Sequence, residues 1–242
     1  MSFERGNGKF NINEYYNYLS IIKRNRMKHL GYMVACFVIL LKVQLVNAQD
    51  DVKIGTQVWT SKNLDVSTFR NGDPIPEAKN AKEWVTASEN KTAAYCYYDY
   101  DRKNGKVYGK LYNWHAVNDS RGLAPKGYHL PSDAEWTILT DMLGGEAIAG
   151  EKMKSKQGWR KNGKYGNGNN SSGFNGLPGG YCDGDGIGFG NFFGIAAYGY
   201  WWSSSEESLR NAWYRYLFYN SIRVGMGSDY EYGGLSVRCL RD

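Results

Sequence analysis

Seven aromatic residues crowd the last third of the chain: Tyr198, Tyr200, Trp201, Trp202, Trp213, Tyr214 and Tyr216. Aromatic faces stack on the C–H-rich faces of sugar rings, so such a set is a candidate carbohydrate platform. The plainer reading is that these side chains fill a β-rich core. Neighbours on a strand point to opposite faces, so Trp201 and Trp202 are not both expected to point inward. One of the two is a candidate exposed ring. Tyr200, Trp201, Trp202 and Trp213 together form the candidate ligand-binding set.

Other residue types that carry chemistry make a weaker case. Asp183-Gly184-Asp185-Gly186 is a fragment of a calcium loop. A calcium loop needs several more oxygen ligands at fixed spacing and a closing bidentate acid, so a glycine turn is the better reading. Gly184, Gly186, Gly188 and Gly190 do not match a dinucleotide fingerprint. Beyond the leader, His115 and His129 are the two histidines, and no elbow-type serine or cysteine lies near either. Glu206 and Glu207 are adjacent acids on a serine-rich turn, which reads as a solvated pair rather than a glycosidase pair. The expectation is a protein that is not an enzyme, with no cofactor and no metal.

The elements that must position these residues follow from periodicity and turn chemistry. Lys53–Leu64 reads as a strand or hairpin, and Asn71-Gly72-Asp73-Pro74 as a turn. Glu77–Thr86 reads as a short helix, Ala93–Tyr100 as β-prone, Asp101–Lys106 as a turn-rich connection and Leu111–Val117 as a short helix. Ser132-Asp133-Ala134-Glu135 has the chemistry of a capping box. Trp136, Leu139 and Leu143 then follow on one helical face, and Gly144-Gly145 ends the helix. A second helix is expected over Glu146–Lys154. Gln157–Gly190 is a long irregular stretch, with Phe174 and Leu177 as anchors; loops of this length are usually functional or mobile. Tyr198–Ser204, Ala212–Phe218, Ile222–Val224 and Leu235–Leu240 read as four short strands. There is no fixed-period repeat. Helices first and antiparallel strands later make an α+β domain.

The N-terminal region reads as an export signal. Lys23, Arg24, Arg26 and Lys28 precede an apolar run from Leu30 to Leu41, and Val46-Asn47-Ala48 supplies small residues where a signal peptidase reads. Lys42 and Gln44 interrupt the run before it reaches the ~20 residues a membrane span needs. Residues 27–48 are therefore expected to be a signal peptide, residues 49–242 one domain, and residues 1–26 a polar extension with Met27 as an alternative start. If the segment stays uncleaved, it is the one membrane attachment expected. The chain carries 30 basic and 24 acidic residues, and residues 1–48 hold seven of the basic and two of the acidic ones. The remainder is nearly neutral, at +1. The positive field that displaces counterions from nucleic acid is missing there, so nucleic acid is not expected as a partner. Cys96, Cys182 and Cys239 remain after Ala48. Export permits disulfides, and an odd number leaves at least one thiol unpaired or joined to another chain.

From Lys53 to Asp242 the chain resembles the Fibrobacter succinogenes major paralogous domain family. The resemblance rests on QVWTSKNL (57–64), Asn71-Gly72-Asp73, YGKLYNW (108–114), GYHLPSDAEW (127–136), Leu143–Gly145, AGEKMK (149–154), GFNGLPGG (173–180), WWSSSE (201–206), Ala212-Trp213 and SVRCLRD (236–242). It implies an exported bacterial protein, and the family brings no established biochemical activity to carry over. It also implies a C-type-lectin-like fold, shared with formylglycine-generating enzymes, with short helices first and strands plus long glycine-rich loops later. Leu130–Trp136 is similar to a motif of that enzyme family, but Cys182 and Cys239 lie too far apart in sequence to match its paired cysteines. The calcium motifs of sugar-binding lectins are absent as well. The chain departs from the family at Ala124, where cysteine is common, at Tyr128, where tryptophan is usual, and at Cys182, where arginine is common. If a bridge forms, the resemblance implies that it includes Cys239, with Cys96 or Cys182. The function expected is a secreted or surface-displayed recognition module for a glycan or other surface polymer. The alternative is a protein–protein or envelope-assembly module that binds no sugar.

Overall fold

Ser132 accepts a hydrogen bond from the Glu135 amide while the Glu135 carboxylate takes the Ser132 amide at 2.8 Å, so the capping box forms as its chemistry dictates. In this computed structural model the residues described are 51–184 and 188–242, with Ser20, Lys23 and Met27. The signal-peptide reading falls almost wholly outside them, as do Asp185 and Gly186. The chain divides into two units, Met1–Ala48 and Gln49–Asp242, and the second is the fold described below. Among the described residues no helix is long and apolar enough to cross a membrane.

The architecture is α+β. In chain order the elements are β1 (Asp51–Ile54), β2 (Gln57–Thr60), α1 (Ala81–Glu89), β3 (Tyr95–Cys96), α2 (Arg102–Tyr108), β4 (Leu111–Tyr112), α3 (Trp114–Val117) and β5 (Tyr128–His129). They continue with α4 (Asp133–Met142), α5 (Ala149–Met153), β6 (Gly179–Cys182), β7 (Phe192–Ile195), β8 (Tyr198–Ser208), β9 (Asn211–Phe218), β10 (Val224–Tyr230) and β11 (Leu240–Arg241). A 3-10 turn, Tyr98–Tyr100, follows β3. Among the described residues three sheets form, with orders β1-β2-β11-β5, β10-β9-β8-β6-β7 and β3-β4. Strand pairs are antiparallel except for β6 with β8.

Several elements differ from expectation for local reasons. The helix expected over Glu77–Thr86 starts at Ala81, because Asn80 caps it and Ala78 is bonded to Tyr95 instead. Asp101–Lys106 is not a loose connection. Asp101 accepts from Lys103 N at 2.8 Å and starts α2. Gly105, which weakens the helical signal, is required there, since a Cβ would run into the Tyr97 ring. Leu111–Val117 splits into β4 and α3 because the Asn113 side chain caps α3 and also holds Ala94 N. The second helix shrinks to Ala149–Met153. The third expected strand moves to Val224–Tyr230, and Leu235–Leu240 becomes a run of single bridges ending in β11.

The core has three parts. Trp59, Trp136, Phe174 and Trp201 form one, with Trp59 and Trp136 at 4.7 Å and Phe174 and Trp201 at 5.6 Å. Arg238 is wholly buried beside it. Its guanidinium donates to Asn63 Oδ1 and to the carbonyls of Thr60, Phe174 and Asn175 at 2.7–3.1 Å, and lies over the Phe174 ring. A second part gathers Tyr112, Trp114, Trp202, Leu235, Val237 and Cys239. The third gathers Trp84, Cys96, Tyr98, Leu111 and Cys182. The segment 234–236 knits them, bridging to Cys182, Tyr112 and Trp201.

The central sheet is covered on both faces where the paired tryptophans lie. Alternation holds: Trp201 and Trp202 point to opposite sides. Each nevertheless finds a core, Trp201 with Trp59, Trp136 and Phe174, Trp202 with Tyr112 and Trp114. Both are 1% exposed, which corrects the expectation that one of them is an exposed ring.

Candidate functional site

The β8–β9 register decides which aromatics share a face. Tyr198 faces Phe218, Tyr200 faces Tyr216 and Trp202 faces Tyr214. Strand alternation therefore puts Tyr198, Tyr200, Trp202, Tyr214, Tyr216 and Phe218 on one side. Trp201, Trp213, Arg215 and Leu217 are on the other, where Arg215 is tied to Asp133 and Thr137 of α4. The expected ligand-binding set is thus divided. Tyr200 and Trp202 share a face, while Trp201 and Trp213 lie behind it. Trp213 and Tyr200 are half-buried.

On β10, Gly225 stands opposite Tyr216 and Gly227 opposite Tyr214. A Cβ at Gly225 would run into the Tyr216 ring, and one at Gly227 would lie 2.6 Å from the Tyr214 hydroxyl. The glycines therefore let both rings lie down over the edge strand, the covering of strand glycines by cross-strand aromatics. Tyr200 sits at the centre, with ring centroids of Tyr181, Tyr214, Tyr216 and Tyr198 at 5.1, 5.3, 5.8 and 5.9 Å. Phe218 extends the strip beyond Tyr216 at 4.6 Å. From Tyr214 to Phe218 the strip runs about 13 Å along β9 at the usual strand rise. These rings are half-buried, neither sealed in the core nor freely solvated.

A cavity opens at each end. One, of about 200 Å³, is lined by Tyr181, Tyr200, Tyr214, Asp183, Ser228 and Asp229, with Leu235 at its base. Asp183 is placed by backbone bonds to Asn191 O and from Gly190 N. Asp229 Oδ1 accepts from Tyr230 N at 2.7 Å. The second cavity, about 380 Å³, is lined by Tyr216, Phe218, Glu146, Arg223 and neighbouring β10 residues. The first is below the ~300–1,000 Å³ of drug-sized sites and suits one small polar ring or group.

The electrostatics keep the Tyr200 and Tyr214 phenols neutral. Burial, then the neighbouring Asp229, pushes Tyr214 up to about 12. Burial, then Tyr214 and Tyr181, raises Tyr200 further still. At ordinary pH these hydroxyls can both donate and accept, and the two carboxylates accept. The arrangement offers ring faces for C–H groups and acceptors for hydroxyls.

The remaining sequence candidates fall elsewhere. His129 sits between Asp242 at 2.8 Å and Glu135 at 2.9 Å, on the α4 cap. His115 is partly buried beside Tyr232, and burial, then Lys91, lowers its pKa. Glu206 accepts from Asn118, and Glu207 is exposed. Among the described residues no group of three His, Cys, Asp or Glu is placed to hold a metal. All three described cysteines are buried thiols. Cys239 lies in the cluster around Tyr112 and Trp202, whereas Cys96 and Cys182 share another. Sequence reasoning missed Tyr181, Asp183 and Asp229 as site residues. The alternating glycines of Val224-Gly225-Met226-Gly227 opposite alternating tyrosines are the signal that points to this face.

Residues 52–241 match the family described as the Fibrobacter succinogenes major domain. No curated protein and no solved structure matches the chain.

Proposed function

The chain belongs to the Fibrobacter succinogenes major domain family, and on that premise we propose that it is an exported, non-catalytic recognition module that binds a glycan or other surface polymer. The observation that carries this reading is the continuous tyrosine strip, Tyr200 at its centre, running into a cavity that holds Asp183 and Asp229. Neutral phenols beside carboxylates suit hydroxyl-rich ligands, and the strip's length suits a chain rather than a single small molecule. The leader read at residues 27–48 and the near-neutral charge after it support a partner outside the cell and one other than nucleic acid. The binding face moves from the buried Trp201 and Trp202 to Tyr181, Tyr200 and Tyr214. The C-type-lectin-like assignment belongs to the same proposal. It is supported by β1, β2 and β11, the first and last strands of the domain, meeting in one sheet. Pull-down on insoluble polysaccharides tests the reading: binding by the full chain should fall at least about tenfold in Tyr200→Ala and persist in Trp213→Ala.

A protein-docking role without sugar binding is the second reading. It is favoured by β10, an edge strand that carries exposed Met226, and by exposed Phe193 on β7 at the other edge. Unpaired edges are templates for added strands. Co-purification with a surface protein that survives Tyr200→Ala and is lost in Met226→Asp would favour it.

A further inference from the structure

We propose that Cys96 and Cys182 are the partners of an intrachain disulfide that locks the cavity-bearing strand β6 to β3. Cys96 closes β3 and Cys182 closes β6, and both are wholly buried in one cluster with Trp84, Tyr98 and Leu111. The packing around them is specific. Cys182 pairs across the ladder with Phe192. The Phe192 ring lies 5.1 Å from Tyr98 and 4.7 Å from Tyr100, in the turn that begins two residues after Cys96. Tyr100 Oη donates to Gly190 O at 2.7 Å, which ties that turn to the approach to β7. Gly234 brings backbone against the Cys182 Cβ, where a side chain would not fit. Burial, then the neighbouring Cys182, raises the Cys96 thiol well above the usual range.

The chemistry needs an oxidant of the disulfide class, such as glutathione disulfide. One protein thiol loses its proton to solvent and attacks a glutathione sulfur, which expels one glutathione thiolate. The second protein thiolate attacks the protein sulfur of that mixed disulfide; the S–S bond forms and the second glutathione leaves. The two protein thiols are oxidised, one glutathione disulfide is reduced, and the two released protons end on the glutathione products. Thiols sealed in the closed cluster are out of reach of a dissolved oxidant, since redox-active cysteines need exposure, so the bond belongs to the folding chain, before the cluster closes. Cys182 lies between Tyr181 and Asp183, both lining the 200 Å³ cavity, so the bridge fixes that wall of the cavity to the body of the domain. Cys239 stays a single thiol, which reconciles an odd cysteine count with an oxidising compartment.

The test is to unfold and refold the full chain in a glutathione redox buffer, block remaining thiols with N-ethylmaleimide, and map peptides without reduction. The expected result is a peptide carrying Cys96 joined to one carrying Cys182, with Cys239 alkylated. The oxidised protein should melt roughly 5–10 °C above the same protein refolded in reductant. Cys239→Ser should leave the cross-link unchanged. A bridge that contains Cys239, or complete alkylation of Cys96 and Cys182 after refolding in the oxidising buffer, overturns the proposal.

Discussion

Trp201 and Trp202, adjacent in the chain, send their indole N–H groups to opposite sides of one sheet: Trp201 to Asn63 Oδ1 at 2.9 Å and Trp202 to Tyr112 O at 2.8 Å. Both belong to the architecture, and the ring surface that stays half-exposed belongs to the tyrosines beside them. Trp201→Ala and Trp202→Ala should each cost about 3–5 kcal/mol, the usual range for truncating a buried large aromatic. Urea unfolding checks this. A variant that keeps wild-type stability would remove the core assignment.

Arg238 is held by one amide oxygen and three backbone carbonyls rather than by a carboxylate. Arg238→Met keeps much of the volume but leaves the carbonyls of Thr60, Phe174 and Asn175 without that donor, while Asn63 Oδ1 keeps the one from Trp201. Each orphaned acceptor costs about 1–3 kcal/mol, so the variant should lose about 3 kcal/mol or more. Because Asn63 also anchors Trp201, Asn63→Leu should be non-additive with Arg238→Met in a double-mutant cycle.

Lys154 is a second buried cation whose polar partners are carbonyls, those of Gly166, Phe218 and Ser221. Burial pulls its amine down to about 8 from an ordinary 10.5, and Glu151 opposes the shift. The native state therefore binds fewer protons than the unfolded chain between these values, and stability from this group rises with pH across that window. The Lys154 side-chain carbon shift, followed by NMR, should titrate near pH 8. Lys154→Gln should lack the corresponding gain in unfolding free energy between pH 8 and 10.

His129 carries the opposite sign. Burial lowers its pKa, but hydrogen bonds to Asp242 and Glu135 outweigh burial and leave it raised above 6.5. Its contribution is complete below the unfolded value of about 6.5 and is lost as pH rises through the higher folded value. The difference in stability between wild type and His129→Gln should therefore shrink from pH 6 to pH 8. A difference that grows over that range would contradict the charged-histidine account. Glu135 links this pair to the capping box, so Glu135→Gln should weaken both the α4 start and the pH dependence.

What was legible in the sequence was local chemistry. The capping box of α4, the Gly144-Gly145 stop, the β1–β2 hairpin and the strand character of Tyr198–Phe218 all rest on residues close in sequence, and they form. Family membership was legible too, from motifs spread across the domain. The site was less so. Alternation correctly separated Trp201 from Trp202, yet exposure depends on what covers each face. That cover is supplied by α4 on one side and by β4, α3 and the 234–237 segment on the other. Gly105 hid α2 because a glycine lowers helix propensity, while its real role is contact with Tyr97. The cysteine arrangement was illegible for the same reason: Cys96 and Cys182 come into one buried cluster through long-range packing, which spacing does not encode.

The central claim is that the tyrosine strip is the recognition surface. Its most direct test is a titration of the full chain with soluble oligosaccharides of glucan, xylan and chitin type, followed through tyrosine ring resonances. The account predicts that at least one of them shifts the Tyr181, Tyr200 and Tyr214 signals, with Trp201 and Trp202 unmoved and binding lost in Tyr200→Ala. Shifts confined to residues off this face, or binding undiminished in a folded Tyr200→Ala variant, would contradict it.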